Sequence, residues 1–184
     1  LVHPELATDP NAKLAFVWAM AVTSNGLKVG KNFEIAEQVY RRFKADGRMP
    51  PDAGIGTAGE AINKSLVLFD TLREAWGIEN LRKFMLTDFT VAEITAIDPE
   101  LKPGGEHADV TVKGAAILGP KIGNGFFSNL YGNFGSLTMD RWLIRTWGRW
   151  TGTLIKAQPQ LTDAARTRLR AVLTGMDPAE AKRL

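Results

Sequence analysis

Helix-starting and helix-stopping residues recur at short intervals along this chain, and they confine it to short helices. Asp9-Pro10 pairs an N-cap with a proline in the first turn, ahead of Leu14, Val17, Trp18 and Ala21 at helical spacing. The polar stretch 23–32 predicts a loop. Ile35, Val39 and Phe43 then share one face of a helix over roughly 33–46 that stops at Gly47. Paired prolines and spaced glycines at 48–57 suit no regular element. A third helix is predicted from about Ala58 to Trp76, with Ile62, Leu66, Leu68 and Leu72 inward and Gly77 as its stop. A short helix, "IENLRKFML", follows, and Thr90 and Glu93 form a capping box for "VAEITAI". Near the C-terminus Thr162 caps "DAARTRLRAVLTG", and a last helix starts near Asp177-Pro178. Only "ADVTV" (108–112) alternates enough to suggest a strand. The expectation is an all-α fold of about nine or ten short helices.

The length, 184 residues, suits one domain, either compact or built as two small lobes around a cleft. Hydrophobic residues make up 45%, which is enough for a real core. The absence of cysteine excludes disulfides, iron–sulfur clusters and Cys-based zinc sites. The longest apolar run, "LAFVWAMAV" at 14–22, has nine residues and is too short to span a bilayer. Glu5 and Asp9 precede it where a signal peptide would carry basic residues, so it reads as a buried helix and no membrane partner is expected. The chain opens on Leu1 rather than Met and is expected to be an excised or processed piece of something longer.

The net charge is +3, and its distribution is uneven. Residues 111–156 hold six basic residues against Asp140 alone, a local +5 that leaves −2 for the rest. A basic segment on a slightly acidic body points to a polyanion-facing surface, with a solvated face as the rival reading. Arg141, Arg145 and Arg149 recur every four residues, which fits a DNA-facing stripe and ordinary solvated arginines equally. Trp142, Trp147 and Trp150 are expected in the core rather than as base-stacking platforms. His3 and His107 have no partner at metal-ligand spacing and are assigned no role.

Within the basic segment, "LGPKIGNGFFSNLYGNFGSLTMDRW" (118–142) sets Lys121 and Asp140 19 positions apart with no other charge between them. Gly119 allows a tight turn and close approach of a ligand. Pro120 suits the first helical turn after it, and a helix N-terminus binds phosphate without reading base sequence. Lys121 could be a phosphate contact or a nucleophile. A lysine that attacks carbon must be neutral, which an exposed lysine at pH 7 is only about once in two thousand. A partly apolar setting among Ile117, Ile122, Phe126 and Phe127 would disfavour the cation. Asp140 reads either as an ordinary N-terminal aspartate of the next helix or as a carboxylate that stabilises a cationic sugar during glycosidic-bond cleavage.

These residues resemble the helix-hairpin-helix DNA glycosylase superfamily (HhH-GPD), and within it the archaeal-type 8-oxoguanine DNA glycosylase/lyases. The family pattern is a hairpin of the form L-P-G-hydrophobic-G-x-K. After roughly eighteen or nineteen residues follows hydrophobic-D-x-H, with an arginine five places beyond the aspartate. Here "ILGPK" supplies Gly119 and Lys121, "LTMDRW" supplies Asp140, and Arg145 falls five after it. "FVWAMAVTSNGLKVGKNFEIAEQVYRRF" is similar to the family's early helix, polar loop and second helix. The sequence departs from the pattern in places; among them, Ile117 replaces the first hairpin glycine and Trp142 replaces the histidine.

The resemblance implies one glycosylase domain over 1–184, its helices in two lobes around a cleft, with the hairpin at about 109–131 and the aspartate's helix at about 138–150. It implies Lys121 as nucleophile and Asp140 as stabilising carboxylate, and DNA contacts from Gly119, Ile122, Gly123, Asn124, Arg141, Arg145 and Arg149. Ser24 and Asn25 stand where family members insert a polar side chain into the duplex. Neither a metal nor a cofactor is required, and the expected partner is DNA, bound by a monomer. A non-catalytic DNA-binding hairpin module is the alternative. A further expectation concerns biology: a DNA-attacking toxin domain acting in the cytoplasm, delivered within an exported protein and countered by an immunity protein. The identity of the base stays open.

Overall fold

The computed structural model describes residues 2–25, 27–98, 105–138 and 141–152. Two compact units make up the chain, residues 1–140 and 141–184. Among the described residues there are seven α-helices and one two-stranded sheet. That is fewer helices than the nine or ten expected; the helices predicted beyond Thr162 lie outside the described residues.

In the first unit α1 (Pro10–Thr23) is the centre of the fold. The Asp9 carboxylate accepts from the backbone N–H of Asn11 (2.8 Å) and Ala12 (3.2 Å), which satisfies two donors that the helix start leaves open. Leu14, Ala15, Trp18, Ala19 and Ala21 are fully buried, so this helix is apolar nearly all round, as a helix enclosed by others must be. Trp18 packs edge-on to Phe69 of α3 and donates its indole N–H to the Ser65 carbonyl at 2.9 Å.

The next helix, α2 (Val29–Asp46), begins four residues earlier than the sequence predicts and ends at Gly47, whose φ is +68°. The polar loop is shortened by a buried amide. Asn32 donates to the Met20 carbonyl (3.0 Å) and to the Thr23 hydroxyl (2.7 Å), and Thr23 donates to the Ala19 carbonyl (2.7 Å). Those bonds tie the start of α2 to the end of α1 and fix the turn carrying Ser24 and Asn25. Asn32→Ala leaves the buried Thr23 hydroxyl and the Met20 carbonyl without that donor and is expected to cost about 1–3 kcal/mol, measured by urea unfolding.

Helices α3 (Gly59–Trp76) and α4 (Ile78–Leu86) follow, separated by Gly77 at φ +78°. Ile62, Leu66, Phe69 and Leu72 form the inward stripe of α3. Leu68, expected inward, is only half-buried, because it falls to one side of that stripe. The Thr90–Glu93 capping box is formed at the start of α5 (Val91–Ile97). Just before it β1 (Asp88–Thr90) pairs antiparallel with β2 (Thr111–Lys113), with Phe89 opposite Val112. The strand predicted at 108–112 is therefore displaced toward Lys113, and its partner carried no alternation to reveal it. No described helix is long and apolar enough to cross a membrane.

The N-terminus is fastened by charge. Glu5 accepts from Lys44 (2.7 Å) and from the Tyr40 hydroxyl (3.2 Å), and His3 lies 3.2 Å from Glu37. The Lys44 ammonium foremost, with the Glu5 backbone N–H and Tyr40, holds the Glu5 carboxyl down to about 2 from its ordinary 4.5. A carboxylate depressed in the folded state stabilises it fully above the ordinary value and loses that contribution as pH falls through the folded one. Acid titration of the urea midpoint is therefore expected to fall between pH 4.5 and about 2, and to fall less in Lys44→Gln.

Candidate nucleic-acid interface

Beyond β2 the backbone forms a tight hairpin. A 3₁₀ turn, Gly114–Leu118, leads through Gly119 into a π-helical segment, Pro120–Phe127, that continues as α6 (Ser128–Leu130). Gly119 has φ +90°, a conformation open to glycine and strained for other residues. Its N–H donates to the Ala116 carbonyl at 2.7 Å. Its own carbonyl accepts from Gly123 (2.9 Å) and Asn124 (3.4 Å), which starts the second helix. Pro120 has no N–H to satisfy, so the first donors of this helix are those of Lys121 and Ile122, positions that a helix start leaves without an internal acceptor.

Backbone touches backbone where the two arms cross. A Cβ on Gly123 would lie 1.6 Å from the Ala115 carbonyl oxygen; Gly114 lies instead against α4, where a Cβ would lie 2.1 Å from the Phe84 carbonyl oxygen. Glycine is required at both positions for contact, not for φ. Asn124 is occupied in the same cause: its side-chain carbonyl accepts from the Lys113 N–H at 3.2 Å, while the Lys113 ammonium pairs with Asp88 at 2.8 Å. Asn124 and Gly123, expected to face DNA, thus build the hairpin; Gly123 is buried and Asn124 half-buried.

The bare segment that follows folds back on this helix. Gly125 is closely approached by Thr138, whose Cα a Cβ on that glycine would meet at 3.0 Å. The Asn129 side chain gathers the loop: its amide nitrogen donates to the carbonyls of Asn133 (2.9 Å) and Ser136 (3.0 Å), and its carbonyl accepts from the Thr138 hydroxyl (3.0 Å). Small residues and asparagines between Lys121 and Asp140 therefore serve close chain return. Asp140 itself lies outside the described residues, as does the side chain of Arg141.

Lys121 is exposed at the start of its helix. The apolar surroundings expected for it lie on the helix's inner side: Ile117 and Phe127 are buried, and Ile122 and Phe126 are half-buried against the core. Phe127 stacks on Tyr131 at 5.4 Å, and the Tyr131 hydroxyl donates to the Pro10 carbonyl at 3.3 Å, fastening the hairpin to α1. Burial pushes the Tyr131 phenol up.

Gly119 also edges a cleft of about 670 Å³, whose other walls are Asn63, Lys64, Leu68 and Thr71 of α3 and Ile97 and Asp98 closing α5. On the other side Gly119 and Pro120 border a smaller apolar cavity of about 290 Å³ with Val91 and Ile94. Sequence reasoning passed over the α3 wall, since Asn63, Lys64 and Thr71 read as an ordinary polar helix face. The only hint was Leu68, out of step with its stripe.

At the other candidate positions the Ser24 hydroxyl donates to the Ala21 carbonyl at 2.6 Å and closes α1, with Asn25 half-buried in the turn. In the second unit α7 spans Arg141–Thr151. Arg149 is exposed and Arg145 half-buried. The tryptophans correct the expectation of a buried set: Trp147 is 62% exposed and Trp150 is 80% exposed, while the side chain of Trp142 lies outside the described residues. Among the described residues no group of three or more His, Asp or Glu is placed to hold a metal ion. No protein-family model, curated protein or solved structure matches the chain.

Proposed function

We propose that the chain is a DNA glycosylase with an associated lyase step. The observation that carries this reading is the helix start at Gly119–Pro120, where Gly119 edges a pocket and Lys121, exposed, follows among the first backbone donors of the helix. Phosphate on those donors would hold the strand, with the arginines adding salt-sensitive attraction. The target nucleotide must leave the stack, because its glycosidic carbon is otherwise out of reach. The neutral Lys121 amine then attacks C1′ as the bond to the base breaks. The base departs with a proton, and the sugar ring opens to an imine on the lysine. Asp140 would stabilise the positive charge that develops on the sugar and assist the proton transfers.

Incubation with normal and damaged oligonucleotides, followed by alkali, tests this reading by revealing abasic sites, and Lys121→Gln is expected to abolish them. Release of a damaged base would indicate repair. Release from undamaged DNA would indicate a DNA-attacking role. One observation favours a second reading, a hairpin that binds DNA without chemistry: Lys121 is exposed, whereas a neutral amine calls for apolar surroundings. Intact base content across all substrates, together with weakened binding by Lys121→Gln, would select it.

A further inference from the structure

Four of the five arginines in the first unit are held by carboxylates: Arg41 by Glu37, Arg42 by Asp52 (2.8 Å), Arg48 by Glu74 (2.8 Å) and Arg73 by Asp70 (3.1 Å). The fifth, Arg82 on α4, is half-buried and makes no hydrogen bond or ion pair among the described residues. Its Nε is cut off from solvent, whereas its two Nη groups stay open to it. The packed stem thus fixes the direction of the fork and leaves its outer donors unclaimed. Arginine seldom leaves solvent without a partner, because a desolvated cation is costly unless paired. A second such cation is Lys13 of α1, half-buried, with its ammonium 4.9 Å from the centre of the Tyr131 ring. Arg82 acts on the same tyrosine: burial pushes the phenol up, and the Arg82 charge opposes that. Tyr131 itself is fixed, stacked on Phe127 and bonded to the Pro10 carbonyl at 3.3 Å. The carboxylates one turn before each cation, Asp9 and Glu79, are exposed and pair with neither; Asp9 is engaged by the start of α1. Two like charges gathered on one tyrosine call for an anion. A guanidinium fork with a neighbouring ammonium suits a phosphate, whose oxygens take paired donors and a point charge together. Tyr131 also follows directly on the helical segment that Pro120 and Lys121 open. The two ends of that segment lie roughly 15 Å apart, about four or five nucleotides of one strand.

We propose that Lys13 and Arg82, gathered on Tyr131, form a second phosphate site, which takes a backbone phosphate of the strand that the Gly119–Pro120 turn holds. The site rests on the DNA-binding half of the preceding proposal and needs no chemistry at Lys121. A contact to phosphate carries no base information, so it would set the register of the strand rather than a sequence preference.

The test titrates the full chain with a labelled 20-base-pair duplex by anisotropy at several salt concentrations, and with inorganic phosphate alone by thermal melts at constant ionic strength. Phosphate should raise the Tm of the wild type and leave that of the Lys13→Gln, Arg82→Gln double variant unmoved. Each single variant should weaken duplex binding roughly five- to thirtyfold and lower the salt slope by about one. Arg82→Lys keeps the charge and most of the stem, so it should keep the slope while losing part of the affinity. With Lys13→Gln it carries the test if Arg82→Gln does not fold. Lys31→Gln removes the same charge from an exposed pair with Glu34 on α2 and should leave binding within about twofold. An equal loss in Lys31→Gln, or unchanged affinity and slope in folded Lys13→Gln and Arg82→Gln, would overturn the site. A phosphate response without any loss on duplex would overturn the strand as the source and leave free phosphate as the ligand. Absence of base release with both responses present would overturn the glycosylase reading instead and leave this site standing.

Discussion

Borohydride added during turnover is expected to trap the protein covalently on DNA through Lys121, and Lys121→Gln to abolish the trapped species altogether. An amine that displaces a base becomes an imine carbon–nitrogen double bond to the sugar; hydride reduces it to a stable amine link. Glutamine keeps a polar side chain of related length at an exposed helix start, so the fold and much of the DNA binding should survive. Mass analysis of the digested adduct identifies the lysine, and Lys113 is the natural control. It is held to Asp88 at 2.8 Å and is not expected to react. Asp140→Asn should slow base release by at least about a hundredfold, as when electrostatic stabilisation of a developing charge is removed. Trapping that persists in Lys121→Gln would mean that another amine is the nucleophile.

What could be read beforehand was what local chemistry dictates. Asp9-Pro10, Gly47, Gly77 and the Thr90–Glu93 box each act within one helical turn, and each element boundary they mark is present in the structure. The errors fall where distant groups decide. Residues 29–32 look like loop until Asn32 finds Met20 and Thr23, and Asp88–Thr90 becomes a strand only because Thr111–Lys113 lies beside it. The same limit applies at the candidate site. Gly119 and Pro120 announced their turn, since φ +90° and the missing N–H are local properties. Gly123 and Asn124 also hold the turn together, and nothing in their spacing shows that Ala115 and Lys113 come against them. Trp147 and Trp150 were misjudged for a related reason: the average burial of a residue type does not say which face of α7 meets solvent.

Gly123→Ala is expected to open the hairpin and remove DNA binding with it. The added methyl would sit 1.6 Å from the Ala115 carbonyl oxygen and 3.1 Å from the Leu118 Cβ, and the first neighbour is backbone that no rotamer change can move. The arms must separate, which also draws Asn124 away from the Lys113 N–H and Phe127 from its place against Trp18 and Tyr131. Overpacking of this kind costs about 2–3 kcal/mol or more, equivalent to a fall in Tm of about 5–10 °C in a chain of this size. The same chemical change at Gly30 is the control. It lies in the first turn of α2 with nothing within 4 Å of the added methyl, so Gly30→Ala should be neutral or stabilise by up to about 1 kcal/mol. Gly119→Ala separates the two requirements on this turn. It meets no atom within 4 Å but must hold alanine at φ +90°, so strain alone acts, and a loss of about 1–3 kcal/mol is expected. Thermal melts of the three variants, with anisotropy on labelled DNA, check the order. If Gly123→Ala melts with the wild type and still binds, the arms do not cross at that glycine, and the helix start carrying Lys121 is held by other means.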